Sequence, residues 1–340
     1  MTQDGGSPPR TFLSSTPALA LSPWGRIQSL AGSPDFWSNW TAVFALVLLC
    51  LFFGITTSQF LSAGNVEDVL VESAVLVILA VGQSFVILTA GIDLSQAAVL
   101  TLGAVLLGEV VIHASGLGIG TACVVGIGGG AAAGFLNGVT ISKIRITDFI
   151  VTLGALGVAS GLALVLTSGT PTQITNTLLL GLWTGSVGPI GYPVVVAGVI
   201  VVAGHWTLFH TRFGTHVLAT GGNREVARAM GVRIDRVRTT VYVISGMLAG
   251  VAAVLYTSQI GAAESAPDTT LLLDAIAATV LGGVSLFGGR GNIIGPAVGA
   301  VLLTALANGL TLMGVSQFYE PLFVGLVVVA SAALMRYQRG

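Results

Sequence analysis

Apolar runs long enough to cross a bilayer recur along most of this chain, and they fix the class of fold open to it. Ten such segments stand out, at roughly 40–58, 68–90, 95–113, 117–140, 148–168, 191–209, 239–258, 271–287, 293–313 and 320–335. A helix needs about 20 apolar residues to span the hydrocarbon core. Alternating strand-length patterns are not evident, which argues against a membrane β-barrel. Helices then remain as the way to satisfy backbone polar groups in lipid. With 8% charged residues and a mean hydropathy of +0.93, the chain lacks the charge that a soluble domain carries on its surface. The expected fold is an all-α polytopic membrane protein of about ten transmembrane helices.

The basic residues test that count. An even number of spans places both termini on one side, and Lys and Arg favour the cytoplasmic side. With the N-terminus inside, the inner segments are 1–39, 91–94, 141–147, 210–238, 288–292 and 336–340. They hold Arg10, Arg26, Lys143, Arg145, Arg212, Arg224, Arg228, Arg233, Arg236, Arg238, Arg290, Arg336 and Arg339, which are all 13 basic residues. Residues 1–36, rich in Ser, Pro and Gly, are expected as a disordered cytoplasmic tail, and 37–340 as the transmembrane domain. A net charge of −1 gives no reason to expect nucleic acid as a partner. Two interruptions, GIDLS at 91–95 and FGGRGN at 287–292, combine Gly with a charge, the signature of a tight turn or a broken helix.

Small residues should govern packing. Gly126, Gly130, Gly134 and Gly138 recur every four residues and line one helix face, where a second backbone can approach closely. The pairs Gly157/Gly161, Gly246/Gly250 and Gly295/Gly299 extend the expectation. Cys50 and Cys123 lie inside apolar runs and read as small buried hydrophobes.

The stretch GGNREVARAMGVRIDRVR at 221–238 gathers five arginines in an otherwise oily chain. Asn223 can cap a short helix that Gly231 ends. Val226, Ala229 and Met230 then share one face, with Arg224 and Arg228 opposite. Such a cytoplasmic amphipathic segment can fix topology against anionic headgroups, form a regulatory patch, or dock into a partner.

Here a resemblance enters. EVARAMG, 225–231, has the spacing of the E-A-A-x-x-x-G loop of ABC-importer permeases: Glu225, Ala227 and Gly231 match, Val226 replaces the middle Ala, and the Leu-Pro that often follows is absent. VGQSFVILTAGIDLSQAAVLTLGA (81–104), GFLNGVTISKIRITDFIVTLGALGVASGLALVLT (134–167), LDAIAATVLGGVSLFGGRGNIIGPAVGA (273–300) and NGLTLMGVS (308–316) resemble the ribose-type, monosaccharide permeases of ABC importers, in the right order from about residue 60 onward. The resemblance implies a permease domain in the bacterial inner membrane. It also implies a second permease copy or a paralogue, a separate ABC ATP-binding subunit below, and a periplasmic or extracellular sugar-binding protein above. It makes 210–238 the coupling loop, with Asn223, Arg224, Glu225, Ala227, Arg228 and Gly231 serving coupling to the ATPase.

ATP and Mg would sit on that partner, with no cofactor on this chain: Lys143 is its only lysine, and no G-x-x-x-x-G-K-S/T loop is present. The alternative is a secondary transporter driven by an ion gradient, which needs intramembrane carboxylates. Asp93 is expected at an inner turn, where it or Ser95 caps the following helix, and Asp274 near an outer helix end. Gln83, Asn137 and Asn308 are expected in interhelical hydrogen bonds. Each of these five polar residues is also a candidate for lining the translocation path. His113, His205, His210 and His216 show no metal-ligand spacing, and no nucleophile–base arrangement suggests an enzyme.

Overall fold

The structure is a computed structural model that describes residues 34–113, 118–326 and 329. Residues 1–33 of the expected tail, half of the last expected span and both termini lie outside the described residues, as do Arg10, Arg26, Arg336 and Arg339, whereas residues 34–36, expected as the end of the tail, already lie in the first helix. The helices are α1 (Pro34–Thr56), α2 (Ala63–Leu88), α3 (Gln96–His113), α4 (Ile119–Val139), α5 (Asp148–Thr167), α6 (Thr177–Thr184), α7 (Tyr192–His210), α8 (Arg212–Gly222), α9 (Arg224–Ala229), α10 (Ile234–Ile260), α11 (Thr269–Leu281) and α12 (Ile294–Leu312), and 320–326 opens a further helix. Seven of the described helices are long and apolar enough to cross a membrane. Trp40–Thr56 and α11 are apolar but shorter.

The molecule is built around α2. From Ser73 to Leu88 every residue of this helix is buried, as befits a helix that is apolar on all sides. Helices α10, α12, α7 and α11 pack around it. By contrast α5 and α7 keep most of their apolar residues exposed, including Val165 and Val202, and form the outside of the bundle.

The glycine ladder acts where the sequence places it. A Cβ at Gly126 would sit 2.8 Å from the Gly103 carbonyl oxygen, and one at Gly138 would sit 2.7 Å from the Thr239 Cα. Cβ atoms at Gly130 and Gly134 would collide with the carbonyl oxygens of Gly246 and Tyr242. Four consecutive helical turns of α4 therefore lie directly on backbone, chiefly that of α10, and Gly246 and Gly250 answer from the opposite side. Gly295 and Gly299 are packed likewise against Gly282 and Ala278. The expectation fails for Gly157 and Gly161: nothing approaches within 4 Å of a Cβ there, because α5 turns that face outward.

The ends differ from the sequence expectation in three further ways. Helix α10 begins at Ile234, so Arg236 and Arg238 lie inside its first turns rather than in the preceding loop. Two small antiparallel ladders, Thr172–Gln173 with Ala262–Ala263 and Ser186–Val187 with Ile190–Gly191, flank α6 in stretches that no expected span covers apart from Gly191. Finally, α4 ends in a π-helical turn, Thr140–Ile144, closed by Arg145 in the left-handed region at φ 62°.

Candidate functional site

Helix α2 ends at Thr89, and the chain does not turn straight into α3. Gln96, the first residue of α3, donates from Nε2 to the Leu79 carbonyl at 3.0 Å. Leu79 lies about 13 Å along α2 from Leu88, at about 1.5 Å per residue. Residues 89–95 therefore run back into the bundle as non-helical chain. Such backbone is tolerated at membrane depth only inside protein, and here several of its polar groups meet specific partners.

Tyr242 Oη donates to the Ile92 carbonyl at 3.2 Å, and Thr152 Oγ1 lies 3.5 Å from the same oxygen. Asp93 Oδ1 accepts from the Ser95 amide at 3.0 Å and from its hydroxyl at 2.6 Å. Asp93 Oδ2 accepts from Ser245 Oγ at 2.8 Å. Asn137 Nδ2 in turn donates to Ser95 Oγ at 2.9 Å. Asp93 is only 2% exposed. The turn expected before α3 is thus buried, and the Asp93 carboxylate organises the start of α3 from within the bundle. Sequence reading found Asp93 and Asn137 but missed Ser245 and Tyr242. Their signal was a tyrosine and a serine three residues apart on a span read only for its glycines.

Every described Lys and Arg lies in a turn, a linking segment or an end turn of a helix. Arg238 Nη2 pairs with Asp148 Oδ2 at 3.2 Å, holding the start of α10 to the start of α5. Below them, Asn223 adopts extended backbone and its Oδ1 accepts from the amides of Glu225 and Val226, each at 3.0 Å. Gly231, at φ 83°, ends the segment; its amide donates to Arg228 and that of Val232 to Ala227. The expected cap and stop are both in place.

The faces are only partly as expected. Val226, Ala229 and Met230 are exposed together, Met230 at 80%. Ala227, 3% exposed, is buried within the chain and not available to a partner, in a segment that packs on α8 and α10. Arg224 lies opposite the apolar face but also points back: its Nη2 donates to the carbonyls of Thr89 at 3.3 Å and Ala90 at 3.2 Å. Desolvation, and next the neighbouring Arg238 charge, lower its pKa from the ordinary guanidinium value, against the opposing pull of Asp148 and Tyr242.

The remaining candidates lie toward the other end. Asn308 and Asn65 exchange two amide hydrogen bonds, at 3.0 and 3.1 Å, between α12 and α2. Asn308 also borders a cavity of about 380 Å³, shared with Asp274, Glu72, Glu320, Tyr256 and Gln259. The structure thus brings Asp274 and Asn308 together, and separates them from the Asp93–Asn137 cluster. Glu72, an acid inside an apolar run, was legible in the sequence but passed over. Gln83 departs from expectation: it is fully buried in α2, and neither amide atom has a hydrogen-bond partner among the described residues.

Comparison with known proteins fits this architecture. The chain is 36% identical over 317 residues to the ribose import permease protein RbsC of Escherichia coli K12, covering 91% of this chain and 98% of that protein. It is also 36% identical over 293 residues to the RbsC protein of Bacillus subtilis, covering 86% and 90%. It is 35% identical over 292 residues to the autoinducer 2 import system permease protein LsrC of Yersinia pseudotuberculosis, covering 85% and 82%. The sequence profile described as the branched-chain amino acid transport system / permease component matches residues 65–332, and over that length the chain belongs to this family of permease components.

Proposed function

We propose that this chain is the membrane permease subunit of an ABC importer that carries a monosaccharide or a closely similar polar solute inward. The observation that carries the reading is the end-to-end similarity to ribose and autoinducer 2 import permeases. The profile's own description points to branched-chain amino acids. An amino acid brings a carboxylate besides its ammonium group, and the cavity described above, lined in part by carboxylates and amides, offers that carboxylate no Lys, Arg or His. Uncharged hydroxyls suit that lining better.

The reading includes ten spans, with α1, α11 and the helix opening at 320 joining the seven long ones, and both termini in the cytoplasm of a bacterial inner membrane. ATP and Mg are held by a separate ATP-binding subunit, which seats the exposed Val226, Ala229 and Met230 face and Arg228 in its groove, with Glu225 beside them. Asn223 and Gly231 shape the segment, and Ala227 and Arg224 fix it to the bundle. A second permease copy or paralogue completes the pore, and a sugar-binding protein delivers the solute.

The test is uptake of labelled ribose, xylose and galactose into proteoliposomes holding the permease, the ATP-binding subunit and the binding protein. Uptake of one of them with ATP and not with a non-hydrolysable analogue is expected. Equal uptake in both, or uptake abolished by collapsing ion gradients with ATP present, would overturn the reading.

A further inference from the structure

We infer that Arg224 is a strut that couples the cytoplasmic segment to the break between α2 and α3, rather than a contact offered to the ATPase. The inference rests on the reading above. Three observations carry it. First, Arg224 spans from the N-terminus of α9 to the carbonyls of Thr89 and Ala90, the residues at which α2 ends. A helix C-terminus presents unpaired carbonyls and partial negative charge, so a guanidinium there is held by both hydrogen bonds and the dipole.

Second, the end of α2 is gripped from a second side. The Gly289 amide donates to the Leu88 carbonyl at 2.9 Å. A Cβ at Gly288 would lie 2.7 Å from the Ala90 amide nitrogen, and one at Gly289 would lie 2.6 Å from the Gly222 Cα. The α8–α9 segment, the 282–293 loop and the end of α2 therefore meet backbone to backbone, with no soft side chain between them. Ala90 itself sits at φ 57°, a left-handed conformation that a non-glycine residue adopts only when its surroundings impose it.

Third, the break continues directly from this junction into the cluster around Asp93, which joins α3, α4, α5 and α10. A displacement of α9 thus reaches the core of the bundle through one side chain and seven residues of non-helical chain, whose geometry is set by discrete hydrogen bonds rather than by a continuous helix. Arg224 acts through the break, as a positioning residue.

The experiment uses the full chain with Ile92→Cys in a background of Cys50→Ser and Cys123→Ala, assembled with its ATP-binding subunit in proteoliposomes. The rate of reaction with a permeant maleimide is read with and without ATP–vanadate, beside co-purification of the ATP-binding subunit. The expected result is a nucleotide-dependent change in labelling that Arg224→Ala reduces about tenfold, the scale of one lost charge-assisted hydrogen bond, with co-purification retained. Arg224→Lys, which keeps a cationic donor, should recover part of the change. A parental response in Arg224→Ala, loss of co-purification in it, or no nucleotide response in the parent would each overturn the inference. ATP-dependent uptake by the parent alongside any of these results would leave the transport reading standing, whereas its absence would sink that reading instead.

Discussion

Ser245 Oγ donates to Asp93 Oδ2 across 2.8 Å, tying the middle of α10 to the break that precedes α3. Together with the two bonds from Ser95, it surrounds a carboxylate that would otherwise be stranded in the bundle. Ser245→Ala should cost about 1.5–3 kcal/mol, the range for a hydrogen bond to a charged group. Asp93→Asn, which keeps one acceptor oxygen for Ser95, should cost less than Asp93→Leu, which leaves Ser95 and Ser245 without their acceptor. Thermal unfolding of the purified chain in detergent checks the order. Asp93→Leu as stable as the parent would show that the cluster does not organise the break.

Glycine substitutions should divide by face. Gly134→Ala drives a methyl group into the Tyr242 carbonyl and Gly130→Ala one into that of Gly246. Each should destabilise by about 1–3 kcal/mol, as overpacking does. Gly157→Ala and Gly161→Ala meet open space; by removing a helical glycine they should be neutral or stabilising in the isolated chain, by up to about 1 kcal/mol. The same unfolding assay separates the two groups.

The segment from Asn223 to Gly231 predicts a split between folding and partner binding. Ala227→Trp should destabilise the chain itself, because Ala227 is buried and leaves no room for an indole. Met230→Asp and Val226→Asp should leave the melting temperature within a degree or two and reduce co-purification of the ATP-binding subunit, since exposed changes away from packing move stability by about 0.5 kcal/mol or less. Undiminished co-purification of the double variant would remove this face from the docking surface.

Arg238 and Asp148 form a mostly buried pair between the starts of α10 and α5. Arg238→Met alone should cost about 3 kcal/mol, because it strands the Asp148 carboxylate beside the Tyr242 hydroxyl, and replacing both partners by apolar residues should cost less than either single change. A double-mutant cycle by chemical denaturation measures the difference.

At the other end, Asn308→Leu removes both bonds with Asn65 while Asn65 keeps its bond to the Phe60 carbonyl. The expected loss is small, about 0.6 kcal/mol and at most about 1.7, as for polar contacts between membrane helices. Because Asn308 also borders the carboxylate-lined cavity, its KM for uptake in the vesicle assay should shift more than its stability does.

Much of this protein was decided by sequence alone. Apolar runs of helical length leave the backbone no other way to satisfy itself in lipid, so the positions of α2, α3, α4, α5, α7, α10 and α12 were legible. A four-residue glycine period fixes a helix face whatever lies across from it, and Asn223 and Gly231 act on their immediate neighbours, so the ladder and the capped segment were legible as well. What faces what was not. Gly157 repeats the spacing of Gly126 and Gly130 yet packs on nothing, and Ala227 and Met230 differ in exposure only because α9 lies on α8 and α10. That GIDLS re-enters the bundle, that Ser245 and Asn137 converge on it, and that Arg224 grips its start all join residues far apart in the chain. Helix periodicity carries rotation about one axis; only the packing of helices against each other sets the relative heights and angles that bring such groups within bonding distance.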